Sequence, residues 1–221
     1  MNILLVKLGA LGDVLRTTPL LTALKKKYPD ARITWVVDAP HLEVLKGNPL
    51  IDHLLDSSSK TLDELKGAVF DLAINLDKEP EATTLMAAAR APKKMGFIRD
   101  AKNELAPADA LSDYAYRLGI DDDLKFKKNK KSYQEISFEQ LGLRFGKEEY
   151  LFSLDEADAR RAEEALKKAG AELAGLSRPV VGLNTGSGAR FAGKKLPIET
   201  YARLAEMFHE KMGATVFLLG G

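Results

Sequence analysis

Asp13 closes the stretch Gly9-Ala10-Leu11-Gly12-Asp13, where a short apolar run gives way to a helical pattern. By position it reads as a helix N-cap, since a carboxylate there satisfies orphan amides and the macrodipole favours its charge. The same spot lies at the carboxyl end of a strand and faces the crevice where α/β sheets bind ligands. Gly9 and Gly12 permit a tight strand-to-helix turn or an anion-binding one, although their spacing matches neither a P-loop nor the Gly-x-Gly-x-x-Gly dinucleotide pattern. Lys7 and Arg16 flank this turn and read, on their own, as solvated charges or ligand contacts in equal measure.

A second cluster lies far along the chain. Thr185-Gly186-Ser187-Gly188 follows a buried-type strand, and small residues there let amides and hydroxyls surround a phosphate. Lys194 and Lys195, taken alone, are exposed loop lysines. Asp121-Asp122-Asp123 contains an Asp-x-Asp pattern that can hold a divalent cation, but its context favours a solvated acidic turn. The run Lys125, Lys127, Lys128, Lys130 and Lys131, with Phe126 among them, reads first as a solvated loop and second as an attractor for a phosphorylated lipid or a membrane surface. His41, His53 and His209 are too scattered for a local ligand pair, so no metal site is expected.

Composition limits the classes of function. The 221 residues hold 33 Lys and Arg against 32 Asp and Glu, a formal net charge of +1, which argues against a dedicated nucleic-acid binder. With 45% hydrophobic and 29% charged residues the chain is globular. The absence of cysteine excludes disulfides, thiolate metal sites and cysteine nucleophiles, and fits a reducing, cytoplasmic setting. No apolar stretch approaches the roughly 18 residues of a membrane span, and the first residues run into a patterned segment without a cleavable signal.

The elements that must position these residues alternate strand and helix. The apolar run from Ile3 to Leu8 is a strand, the pattern from Val14 through Leu15, Leu20, Leu21 and Leu24 a helix, and the β-branched run from Arg32 to Asp38 a parallel strand. Helices are expected at Leu42 to Lys46, Leu62 to Leu65 and Thr83 to Arg90, and strands at Ile51 to Leu55, Val69 to Leu76 and Lys94 to Ile98. Periodicity weakens from Asp100 to Gly146, where loops and short helices are expected. A helix from Asp155 to Lys168, a strand from Pro179 to Leu183, a helix from Pro197 to Lys211 and a strand from Ala214 to Leu219 then open a second βαβ unit. The class is α/β with a mainly parallel sheet. The expected division is a domain over 1–150, then a linker helix and the first part of a second domain over 151–221, which halts at Gly220-Gly221 where a strand would hand over to its next helix.

Three blocks, in order, carry a family resemblance. The segment from Val6 to Leu21, with Gly9, Gly12, Asp13 and Arg16, resembles the opening signature of the ADP-heptose:lipopolysaccharide heptosyltransferases, glycosyltransferase family 9. The stretch from Phe70 to Leu76, together with Ala91-Pro92-Lys93-Lys94-Met95-Gly96-Phe97, resembles its mid-domain strands. Val181 to Gly188 and Lys194-Lys195-Leu196-Pro197 resemble the first strand and phosphate loop of its second domain, with Leu196 where tryptophan is common. The resemblance implies a GT-B fold of two facing Rossmann-like domains, acceptor-binding first and sugar-nucleotide-binding second. It implies an inverting, metal-independent and cofactor-free transfer of heptose from ADP-heptose to the lipopolysaccharide inner core, by a cytoplasmic protein peripheral at the inner face of the membrane; the alternatives are a family member using another nucleotide sugar and a non-catalytic acceptor-binding fragment. It makes Asp13 the general base. Lys7, Gly9, Gly12 and Arg16 become acceptor-binding residues, and Thr185, Gly186, Ser187, Gly188 and Lys194 meet the donor diphosphate.

Overall fold

Residues 2–6 are almost wholly apolar, and a strand of that kind is stable only with both faces covered. In the computed structural model, which describes residues 1–168, 175–176, 178–186 and 195–220, they form β1 (Asn2–Val6) at the centre of a six-stranded sheet. The other strands are β2 (Arg32–Val37), β3 (His53–Asp56), β4 (Leu72–Asn75), β5 (Lys93–Arg99) and β6 (Leu105–Pro107). Their order is β3-β2-β1-β4-β5-β6, and every pairing is parallel except β5 with β6. From β1 the chain builds outward through β2 to β3, then returns to the other side of β1 with β4. That reversal creates a topological switch point between β1 and β4, the place where open α/β sheets bind ligands beyond their carboxyl ends.

Alternate residues of β1 enter opposite cores. Ile3 and Leu5 join Ile33, Trp35, Ile74, Leu20, Leu21, Leu24 and Phe138 on one face. Leu4 and Val6 join Val36, Ala73, Leu65, Ala82, Leu85 and Met86 on the other. The first face is covered by α1 (Leu11–Thr17), α2 (Pro19–Lys27), α3 (Leu42–Leu45) and α7 (Tyr133–Glu139), the second by α4 (Ser59–Gly67) and α5 (Pro80–Ala88). The short α6 (Asp113–Arg117) follows the edge strand β6.

Several elements differ from the reading of the sequence. The single helix expected from Val14 is two, divided at Thr18, because Pro19 has no amide to donate and suits only the first position of a new helix. β6 was concealed within the stretch of weak periodicity; its Pro107 is tolerable because the strand is an edge. Residues 151–153, expected in the linker, are tied to the first unit: the Leu151 amide donates to Thr18 Oγ1 at 2.9 Å and the Ser153 hydroxyl to the Gly47 carbonyl at 3.3 Å.

The chain divides into two compact units, Met1–Ser153 and Leu154–Gly221. In the second, α8 (Glu156–Lys168) precedes β7 (Val180–Asn184), α9 (Ile198–Met212) and β8 (Thr215–Leu219). β7 and β8 pair in parallel, from Val180 with Thr215 to Asn184 with Leu219. Gly213, at φ +60°, ends α9 in the left-handed conformation that glycine adopts without strain, and its amide donates to the His209 carbonyl.

Candidate functional site

The carboxyl ends of β1 and β4 meet at the switch point, and a buried ion pair joins them. Lys7 directly follows β1 and is 3% exposed, which removes the solvated charge from its two sequence readings and leaves its ammonium no open path to a ligand. Its ammonium pairs with Asp77, two residues beyond β4, and also donates to the Gly9 carbonyl. The second Asp77 oxygen accepts the Leu8 amide at 2.6 Å and the Gly9 amide at 3.4 Å. Asp77 is held in turn by Asn75, whose Oδ1 accepts the Asp77 amide at 2.9 Å while its Nδ2 donates to the Phe97 carbonyl. Asn75 and Asp77 therefore organise the turn that Lys7 enters.

Gly9 has little room for a side chain: an added Cβ would lie 3.2 Å from His41 Nε2 and 3.8 Å from an Asp38 carboxylate oxygen. Gly12 lies in the first turn of α1, not in the loop, and a Cβ there would meet nothing within 4 Å. The N-cap of α1 is Ala10, with no side-chain cap; Asp13 is the third helical residue, which corrects its reading as the cap. Freed of that duty, its carboxylate pairs with Arg16 one turn on. The Asp13 side chain is one-third exposed.

Arg16 is itself fixed, its guanidinium carbon lying 4.6 Å from the centroid of the Tyr133 ring. Tyr133 opens α7, held there by a capping box between Ser132 and Glu135, and its hydroxyl lies 3.0 Å from Thr17 Oγ1. Burial pushes the Tyr133 phenol above its usual range, opposed by the Lys7 charge and the Thr17 hydrogen bond and reinforced by Asp13 and Asp77. Lys7, Gly9, Gly12, Asp13 and Arg16 are thus brought to one end of β1. Asp77, Asn75 and Tyr133, which sequence reasoning did not nominate, hold them.

Lys78 also turns inward. Its ammonium donates to the Ala115 carbonyl at 2.8 Å and lies 4.9 Å from the Phe97 ring centroid, and burial, with Lys125 nearby, holds its pKa below the usual lysine range. A shallow pocket of about 240 Å³, lined by Ser57, Ser58, Ser59, Leu62, Pro80 and Thr84 among others, includes none of the nominated residues.

In the second unit, the Thr185 amide and hydroxyl both donate to the Leu219 carbonyl, at 2.7 and 3.2 Å, and the Gly186 amide donates to Asn184 Oδ1. These groups are engaged within the βαβ unit. Ser187, Gly188 and Lys194 lie outside the described residues. Asp121 caps the turn Leu124–Lys128 by accepting the Leu124 amide. Asp123 pairs with Lys128 at 2.6 Å and Lys127 at 2.9 Å, and these bonds hold its carboxyl below the usual range. Of the other lysines in the run, Lys131 pairs with Glu139 and Lys125 lies over exposed Phe126.

With this geometry in view, comparison with known proteins identifies the class. The family model for glycosyltransferase family 9 (heptosyltransferase) matches residues 59–221, and the chain belongs to that family. Among curated proteins, lipopolysaccharide heptosyltransferase 3 of Escherichia coli (strain K12) is 36% identical over 78 residues, covering 29% of this chain and 23% of that one. Among solved structures, a family 9 glycosyl transferase from Veillonella parvula DSM 2008 superposes with a TM-score of 0.72 at 23% identity, over 100% of this chain and 63% of that chain. An E. coli ADP-heptose lps heptosyltransferase II gives a TM-score of 0.61 at 17% identity, over 99% of this chain and 64% of that chain. The fold is that of the GT-B-type heptosyltransferases. Among the described residues, no helix is long and apolar enough to cross a membrane.

Proposed function

We propose that the protein transfers heptose from ADP-heptose to the lipopolysaccharide inner core, with inversion and with Asp13 as general base. The observation that carries this reading is the place of Asp13: in a family 9 chain, it is a partly exposed carboxylate on the first turn of α1, beyond the carboxyl end of the central strand and beside the switch point. From there it takes the proton of an acceptor hydroxyl as that oxygen bonds to the anomeric carbon. The bond from that carbon to the diphosphate breaks in the same step and ADP leaves. A single displacement of this kind inverts the centre.

Charge accumulates on the departing diphosphate and needs compensation. Lys194 supplies it in this reading, with the loop from Thr185 to Gly188 around the phosphates. Arg16 and the Gly9 and Gly12 backbone meet the acceptor. Lys7, being buried against Asp77, acts on the acceptor side through the turn it grips. The protein works without a metal or other cofactor at the cytoplasmic face of the membrane, where its lipid-linked acceptor is presented.

The test is product analysis. The intact protein is incubated with ADP-heptose and inner-core acceptors carrying no, one or two heptoses, and the new linkage is examined by proton NMR. ADP release with an inverted anomeric centre supports the reading. A retained centre removes the single displacement, and turnover only with another nucleotide sugar removes the donor assignment.

A further inference from the structure

We propose that Lys7 and Asp77 are positioning residues for the transfer, clamping the turn from Leu8 to Ala10 and thereby setting the place of Asp13. The proposal rests on the reading of Asp13 as the base. The pair spans the switch point, with side chains only 4% and 12% exposed. A buried ion pair gives little net stability over an apolar pair of similar volume, because desolvation offsets the attraction. What this pair does have is a specific backbone target.

Each member holds its partner and the turn together. Asp77 uses one oxygen for Lys7 and the other for the amides of Leu8 and Gly9. Lys7 donates to Asp77 and to the Gly9 carbonyl. Three backbone groups of two consecutive residues are thus fixed by one ion pair. The next residue, Ala10, is the N-cap of α1, and its carbonyl accepts the amides of Asp13 at 2.8 Å and Val14 at 2.9 Å. The hydrogen bonds of Asp77 and Lys7 to Leu8 and Gly9 are therefore joined, through the single covalent link from Gly9 to Ala10, to the hydrogen bond that holds the backbone of Asp13. Beyond Asp13, Thr17 and Arg16 are held by Tyr133, so α1 is pinned at both ends. Precision here matters to rate, since a misplacement of about 1 Å at a reacting group costs on the order of 10²-fold.

The experiment combines hydrogen exchange with a double-mutant cycle in the intact protein. In Asp77→Asn, the Leu8 and Gly9 amides should exchange at least tenfold faster while the Leu4 and Leu5 amides of β1 keep their protection. The kcat should fall about 10- to 100-fold with ADP-heptose affinity unchanged. Combining it with Asp13→Asn should give no loss beyond that of Asp13→Asn alone, because the first change acts through the second residue. Multiplicative losses, or unchanged exchange at Leu8 and Gly9, would overturn the proposal. Should Asp77→Asn fail to fold, Asp77→Glu keeps the charge beside Lys7 and shifts the carboxylate by one methylene; it should show the same pattern, and wild-type exchange and kcat in it would overturn the clamp. If Asp13→Asn alone turns over normally, the base assignment fails and the positioning role fails with it, while faster exchange at Leu8 and Gly9 would still locate what Asp77 holds.

Discussion

The indole N–H of Trp35 on β2 donates to the carbonyl of Lys7 at 3.2 Å, in a fully buried setting one strand away from the switch point. The backbone of Lys7 is thereby fixed from the β2 side while its ammonium is fixed from the β4 side by Asp77. Trp35→Phe removes the donor and leaves a buried carbonyl short of a partner, together with a small void. The expected cost is about 1–3 kcal/mol, read as a lower midpoint in urea with an unchanged slope.

Two glycines should respond in opposite ways. Gly96 has φ +88°, and a Cβ there would lie 1.8 Å from the Asn75 carbonyl oxygen on β4. Gly96→Ala should therefore destabilise by at least about 2 kcal/mol, through strain and enforced strand separation. Gly12 has open space around it inside α1, so Gly12→Ala should keep or raise the melting temperature. If the acceptor approaches the backbone at Gly12, the same change raises the acceptor KM in a protein that is no less stable. An unchanged KM would remove Gly12 from the acceptor surface.

The parts of the site legible in the sequence were those set by local pattern. β1 and β2 are apolar or β-branched runs because both faces of a central parallel strand are buried, and the glycine-bearing turn and Asp13 follow β1 directly. The break at Thr18 was hidden because the apolar spacing from Leu15 to Leu24 continues across it. Asp77 and Tyr133 were not legible for a different reason. Their partners, Lys7 and Thr17, lie 70 and 116 residues away in the chain, so only the tertiary fold brings them together. The one local hint was that Asp77 falls just beyond a buried central strand, the usual address of a functional carboxylate in such sheets.

Acid should loosen the first unit in part through Asp52. Its carboxylate accepts the Ile33 amide at 2.8 Å and the Lys25 ammonium at 2.9 Å, and the backbone bond, followed by Lys25, holds its pKa below the usual value. A depressed folded pKa contributes stability above the unfolded value of about 3.9, and that contribution is lost as pH falls through the folded value. Asp52→Asn should lower stability at pH 7 by less than about 1 kcal/mol, because the pair is partly solvent-screened. The gap from wild type should close as pH falls from about 4. A gap that widens in acid would reverse the assigned sign.

On the donor side, Lys194→Ala should weaken ADP binding and slow transfer on the order of 10²-fold, and Lys195→Ala should do less. Titration of ADP by calorimetry, beside turnover, checks both. Equal effects, or the reverse order, would assign the diphosphate contact to Lys195.

The most direct measurement is single-turnover transfer by Asp13→Ala beside ADP-heptose titration. With its carboxylate on the first turn of α1 and the nucleotide assigned to the other unit, Asp13 should matter to the chemical step and not to donor binding. The account predicts a fall of about 10²- to 10⁴-fold in the transfer rate with donor affinity within twofold of wild type. Near-normal transfer by Asp13→Ala would contradict it.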